Sequence, residues 1–244
     1  MESIKPKRYL YDHSLPFPQD LAEQVIKPLI TNLKRVPAIL VIDGAPGTGK
    51  TTLGVEIVDY VNSLENKEEM NLRTRGNKQL AFGGKDLSFK AEEASKAGHR
   101  VVIFDEADYD KRNWASTFNK ELSGFFREYR SLEILIIIII QNVAWLDNRI
   151  WELGAVQGVI HLYDPQDNFT RYQVYDLENL SYLLYRMDKL GMYARRKAYS
   201  FCHGYKRGQF LPLFPGRQRL LDRLSNQQKS VSRKRKRDNM EKPA

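Results

Sequence analysis

The sequence predicts an α/β protein of three layers, with a mostly parallel central sheet between helices. Three observations point there. Apolar runs of strand length recur along the chain: Ala38 to Ile42, Val101 to Phe104 and Ile134 to Ile140. Stretches with helical periodicity separate them, in the order strand, helix, strand, helix, strand. The third run is isoleucine-rich with no polar alternation, as expected of a strand covered on both faces at the centre of a parallel sheet.

Each element has a local reason. Pro6, Pro16 and Pro18 keep the first 18 residues extended. Gln19 to Leu33 reads as a short amphipathic helix with Pro28 as a kink. After Ala38 to Ile42 comes a glycine-rich turn, then a helix over about 50–64 that buries Leu53, Ile57, Val61 and Leu64. Residues 65–87 are polar and predict loops with one short strand. Ser88 is placed to cap a helix that Gly98 would end. Ala115 to Tyr129 carries Phe118, Leu122, Phe125, Phe126 and Tyr129 on one side, a stripe assigned to core. Gly158 to Tyr163 and Thr170 to Tyr175 predict two strands, with Asp164-Pro165 and Asp167-Asn168 turning a hairpin. Asp176 caps a helix through Leu190 that faces Leu180, Leu183, Leu184 and Met187 inward and ends at Gly191. The rest of the chain reads as basic and partly irregular, with a short helix near Arg217 to Leu224.

Composition narrows the class. At 244 residues with 42% hydrophobic content, the chain can build one α/β core with appendages. Its longest apolar run has seven residues, against roughly 20 for a bilayer span, and its first residues lack an apolar signal-peptide segment. A cytoplasmic or virion-associated location is expected. The single cysteine, Cys202, excludes an internal disulfide, and the histidines at 13, 99, 161 and 203 lack metal-ligand spacing. Charge is polarised: residues 1–194 hold 24 Lys/Arg against 27 Asp/Glu, whereas residues 195–237 hold 14 against Asp222 alone. The basic end is expected to meet phosphates, nucleic acid or an acidic surface. The expected organisation is an N-terminal extension and helix (1–36), a core (37–191) and a basic C-terminal arm (192–244).

Gly44-Ala45-Pro46-Gly47-Thr48-Gly49-Lys50-Thr51 matches the G-x-x-x-x-G-K-[ST] phosphate loop (Walker A) at every fixed position, after an apolar strand and before a helix. The glycines let successive N–H groups turn toward phosphate oxygens, and the helix N-terminus adds partial positive charge. Lys50 is expected on the β- and γ-phosphates of ATP and Thr51 on Mg²⁺, with Thr52 completing the binding segment. A second apolar strand ends in Asp105-Glu106 (Walker B), at the sheet edge where ligands bind in open α/β folds. Asp105 is expected to hold the Mg²⁺ shell, and Glu106 to polarise the attacking water.

The run VVIFDEAD, a following Arg-bearing helix and a strand closing on Gln141 resemble the catalytic-glutamate class of P-loop ATPases. Within it, the order over residues 38–160 resembles the FtsK/HerA superfamily and the Zot-like ATPases of viruses and mobile elements. The resemblance implies a RecA-like core with the Gln141 strand between the Walker A and Walker B strands, and Gln141 sensing the γ-phosphate and water. It also implies a homo-oligomeric ring in which one subunit's arginine completes its neighbour's site. Arg130 is the first candidate, ahead of Arg127 and Arg149. Asp105 to Asp108 spells DEAD, but the chain has no room for the two RecA-like domains of a DEAD-box helicase.

DNA is the expected partner, through the basic arm and the mixture Tyr193-Ala-Arg-Arg-Lys-Ala-Tyr199…Tyr205-Lys-Arg207. Its cations would neutralise phosphates and its tyrosines stack on unpaired bases. The leading function is ATP hydrolysis coupled to DNA translocation, packaging, conjugation or segregation. An AAA+-type loader or assembly switch, and a Zot-like export or assembly ATPase acting with a membrane partner, are the alternatives. A P-loop kinase ranks last.

Overall fold

The computed structural model describes residues 17–33, 38–64, 79–82, 84–105, 124–125, 132–146, 150, 156–165, 169–194 and 197–210. Seven strands form one sheet: β1 (Ala38–Gly44), β2 (Leu80–Ala81), β3 (Val101–Asp105), β4 (Leu135–Ile139), β5 (Val156–Tyr163), β6 (Thr170–Tyr175) and β7 (Lys206–Phe210). Their order is β2-β3-β4-β1-β5-β6-β7. β2, β3, β4, β1 and β5 run parallel, while β6 pairs antiparallel with both β5 and β7.

The isoleucine strand β4 lies at the centre of the parallel part, between β1 and β3, as expected. Alternation then divides the core. Ile39, Val41, Val102, Phe104, Ile136 and Ile138 point to one face. Leu40, Ile42, Ile103, Ile137 and Ile139 point to the other. Both faces are covered, which completes the three layers. Helix α1, a continuous run of Gln19–Leu21, a π-turn Ala22–Ile26 and Lys27–Asn32, packs on the second face with α2 (Lys50–Leu64). Helices α3 (Gly84–Lys96) and α4 (Leu177–Ala194) and the short α5 (Ala198–Phe201) pack on the first. Ile137 is fully buried. Its replacement by alanine is expected to cost about 2–5 kcal/mol, read as a lower urea midpoint at unchanged slope.

Several boundaries differ from expectation, each for a local reason. Pro28, expected as a kink, lies inside the continuous helical run of α1. The π-turn just before it lets Lys27 N–H donate to the Ala22 carbonyl, shifting the register ahead of the donor that proline lacks. Helix α3 starts four residues before Ser88, where the Asp86 carboxylate accepts the Phe82 N–H at 2.8 Å. Gly98 ends it as expected: φ is 73°, Gly98 N–H reaches the Ser95 carbonyl and His99 N–H the Ala94 carbonyl. Leu64, expected inside, is 43% exposed at the end of α2. Asp176 does cap α4, accepting Asn179 N–H at 3.0 Å, but the helix runs on past Gly191 to Ala194. A glycine inside a helix costs only about 1 kcal/mol against alanine.

β7 has no counterpart among the expected strands. Lys206 to Gln209 alternate partly exposed and exposed residues ahead of the buried Phe210 and carry two cations and a glycine, so no apolar run marks them. Pairing with β6 makes them the sheet's edge, where charged residues are favoured. Of the phenylalanine stripe, Phe125 is described and is buried as core. The remainder of that helix, the Asp167-Asn168 turn and the short helix near Arg217 lie outside the described residues.

Candidate nucleotide site

The sheet topology brings Walker A and Walker B together. β1 and β3 flank β4, with Ile42 and Asp105 both level with Ile139, so the three strands end on one edge. From β1 the chain enters the phosphate loop through Gly44, whose φ of 144° already favours glycine. A Cβ there would lie 2.4 Å from the Leu162 carbonyl oxygen, so alanine is excluded sterically as well. Gly47 and Gly49 also have positive φ, the backbone alternation that makes an anion-binding concavity. The Thr48 hydroxyl donates to the Ala45 carbonyl at 2.9 Å and closes the loop on itself. Ala45, Pro46 and Gly47 are exposed at its tip.

Lys50 opens α2. Its Nζ donates to the Gly44 and Ala45 carbonyls, each at 2.8 Å, which holds the ammonium across the loop. Thr51 follows, and its hydroxyl donates to Asp105 Oδ2 at 2.8 Å. The two partners are 54 residues apart in sequence. Their oxygens suit a hard cation such as Mg²⁺, which takes one or two protein ligands and completes its shell with water and phosphate oxygens. The Thr52 hydroxyl is buried without a hydrogen-bond partner, a polar atom left over in a segment that faces phosphate in such loops.

Gln141 lies two residues beyond β4, on the same edge and between the Walker strands. Glu106, Arg127, Arg130 and Arg149 lie outside the described residues, as does the chain beyond Phe210. The structure therefore brings together the phosphate loop, Thr51, Asp105 and the Gln141 edge.

One cluster at the site has no counterpart among the expected site residues. Asp43, directly before the loop, is fully buried. It accepts from Val143 N–H at 2.9 Å, from His161 Nδ1 at 2.8 Å and from the Tyr199 hydroxyl. The available signal was an apolar strand that ends in a carboxylate, the same signal that marked Asp105. Tyr199 also corrects an expectation. It is 9% exposed and stacked on His161, so it is committed to the core rather than to bases. Tyr205, by contrast, is 47% exposed. Burial, and after it the Asp43 carboxylate, raises the Tyr175 phenol above its ordinary value, and its hydroxyl donates to the Cys202 carbonyl at 3.0 Å.

A model of the viral superfamily 1 RNA helicase core domain matches residues 40–112, less than a third of the chain but the part that contains both Walker segments. The matched stretch carries the phosphate loop, Thr51 and Asp105, the parts that an NTP-hydrolysing P-loop enzyme uses on phosphate and metal. No curated protein matches it significantly. Among solved structures it is similar to Trip13 from Rhizobiales, at 20% identity over 64% of this chain and 65% of that one, with a TM-score of 0.38. It is also similar to a KaiC-like protein from the hyperthermophilic archaeon Pyrococcus horikoshii, at 11% identity over 57% of this chain and 79% of that one, with a TM-score of 0.37. The N-terminal domain of zonular occludens toxin from Neisseria meningitidis is similar at 18% identity, over 58% of this chain and 84% of that one, with a TM-score of 0.34. The chain thus spans just under two thirds of the length of the Trip13 chain. The fold itself is read from the sheet order and the helices on its two faces. Among the described residues, no helix is long and apolar enough to cross a membrane.

Proposed function

We propose that this protein is an oligomeric ATPase that couples Mg²⁺-dependent hydrolysis to the handling of nucleic acid, DNA first. The observation that carries the hydrolytic half is the Thr51–Asp105 hydrogen bond, which joins the two Walker segments at the end of β4. Lys50 and the loop from Gly44 to Thr52 bind the phosphates, and Thr51 and Asp105 hold the Mg²⁺. Bound there, that ion neutralises charge that builds on the phosphate oxygens. Glu106, next in sequence to Asp105, orients and polarises the attacking water. Gln141 senses that water and the γ-phosphate from the end of β4. Arg130 acts in a neighbouring subunit's site, in the manner of FtsK/HerA and Zot-like ATPases.

The nucleic-acid half rests on charge. The 14 cations against one acid in residues 195–237 supply a sequence-independent phosphate-binding arm. RNA is the second reading, favoured by the match of residues 40–112 to an RNA helicase core domain. An AAA+-type loader is the weaker alternative, because the chain after β4 continues as strands of the same sheet.

The test is ATPase activity of the full chain with single-stranded DNA, double-stranded DNA and RNA, together with a mass measurement in a non-hydrolysable nucleotide. The expected result is multimers and DNA-stimulated hydrolysis. RNA stimulation without DNA stimulation would shift the assignment to the second reading. If about five tail cations contact duplex phosphates, log K should fall against log salt with a slope of about −4 to −5. Removal of residues 229–244 should flatten that slope, and unchanged binding would sink the role of the tail.

A further inference from the structure

Asp43, on β1, gathers partners from three other parts of the chain: the turn after β4, strand β5 and helix α5. Val143 N–H reaches it across 100 residues, His161 across 118 and Tyr199 across 156. The His161 and Tyr199 rings lie flat on each other, with centroids 3.5 Å apart and planes 6° apart. Tyr175 meets Tyr199 edge-on at 5.8 Å and also donates to the Cys202 carbonyl, so α5 is pinned to β6 just before the chain enters β7. On the other side, Val143 is two residues from Gln141. Asn142 between them accepts Ala144 N–H at 3.0 Å and shapes the 3₁₀ turn Val143–Trp145.

A buried carboxylate must be hydrogen-bonded, which by itself would explain the cluster as structure. Its connectivity asks for more. Apolar residues of similar volume commonly replace buried polar clusters without loss of stability, whereas a directional network holds one geometry. Here the fixed geometry is that of the residue before the phosphate loop against the segment that presents Gln141. One apolar side chain at position 43 could fill the space but could not tether Val143.

We infer that Asp43 is a positioning residue for hydrolysis, holding the Gln141 segment against the phosphate loop and, through His161 and Tyr199, making that hold depend on the seating of residues 198–210. This rests on Gln141 acting as the sensor of water and γ-phosphate. Residues 198–210 form the described root of the basic arm, so the cluster is a physical link between that root and the edge proposed for hydrolysis.

The experiment is a double-mutant cycle on the full chain with Tyr199→Phe and Gln141→Ala, reading kcat, KM for ATP with Mg²⁺, nucleotide affinity and Tm. Tyr199→Phe keeps the ring stack and removes one hydrogen bond to Asp43. It is expected to lower kcat about tenfold with nucleotide affinity within about twofold, and to lower it no further when Gln141 is already alanine. His161→Phe, which keeps an aromatic ring and removes the Nδ1 donor, should show the same pattern and serves if Tyr199→Phe does not fold. A wild-type kcat in the folded variant, or an equal fall in both backgrounds, overturns the inference. If Gln141→Ala is slow and Tyr199→Phe is not, the link alone fails. If Gln141→Ala itself turns over at the wild-type rate, the sensor role fails and the link with it.

Discussion

Lys50→Ala should reduce ATP hydrolysis by about 10²–10³-fold, the range expected when one preorganised donor to developing phosphate charge is removed. The ammonium is already in place. It spans the loop at 2.8 Å from the Gly44 and Ala45 carbonyls, so little reorganisation is needed as phosphates arrive. The loss should appear in kcat and in nucleotide affinity together, because the charge meets phosphate both before and during transfer. Lys50→Arg should rescue poorly, since a planar guanidinium cannot reproduce a compact point charge held by two converging carbonyls. Steady-state kinetics beside a nucleotide-binding titration checks both statements. Hydrolysis at the wild-type rate in Lys50→Ala would remove the phosphate loop from the mechanism.

Glu106→Gln should separate binding from chemistry. Glutamine keeps the shape of the side chain but cannot take a proton from water, and loss of a positioned general base costs about 10²–10⁴-fold. Nucleotide affinity should stay within a few-fold, because Glu106 is assigned to the water and not to the phosphates. Asp105→Asn offers the contrast. Asp105 accepts the Thr51 hydroxyl and is assigned to the metal, so its variant should weaken Mg²⁺-dependent binding as well as turnover. Single-turnover hydrolysis with each variant distinguishes the two. Equal single-turnover rates for Glu106→Gln and wild type would refute the role given to that carboxylate.

Much of this protein is legible in the order of its residues. The phosphate loop is a local device: glycine placement, one lysine and one threonine within eight positions define it, and a strand before and helix after place it. Buried parallel strands are equally legible, because burial on both faces leaves no polar alternation, as in the isoleucine run of β4. That β4 separates the Walker strands was an implication of resemblance, and the observed sheet order agrees. Thr51 and Asp105 could be named separately as ligands from their motifs. Their meeting at 2.8 Å required the parallel register of β1, β4 and β3.

Other features depend on side chains whose partners are distant in sequence. Tyr199 sits in a basic, tyrosine-rich stretch, and composition alone assigns it to nucleic acid. Its burial depends on α5 folding back onto β1 and β5, where Asp43 and His161 wait. β7 reads as charged and irregular until β6 supplies an edge to pair with. Leu64 follows the apolar period of its helix, yet as the helix's last residue it is left largely outside the core. Local pattern, set by backbone preference and the period of burial, specified the apolar strands and the phosphate loop. The Asp43 cluster needed four separate elements to converge, and no periodicity records a convergence of that kind.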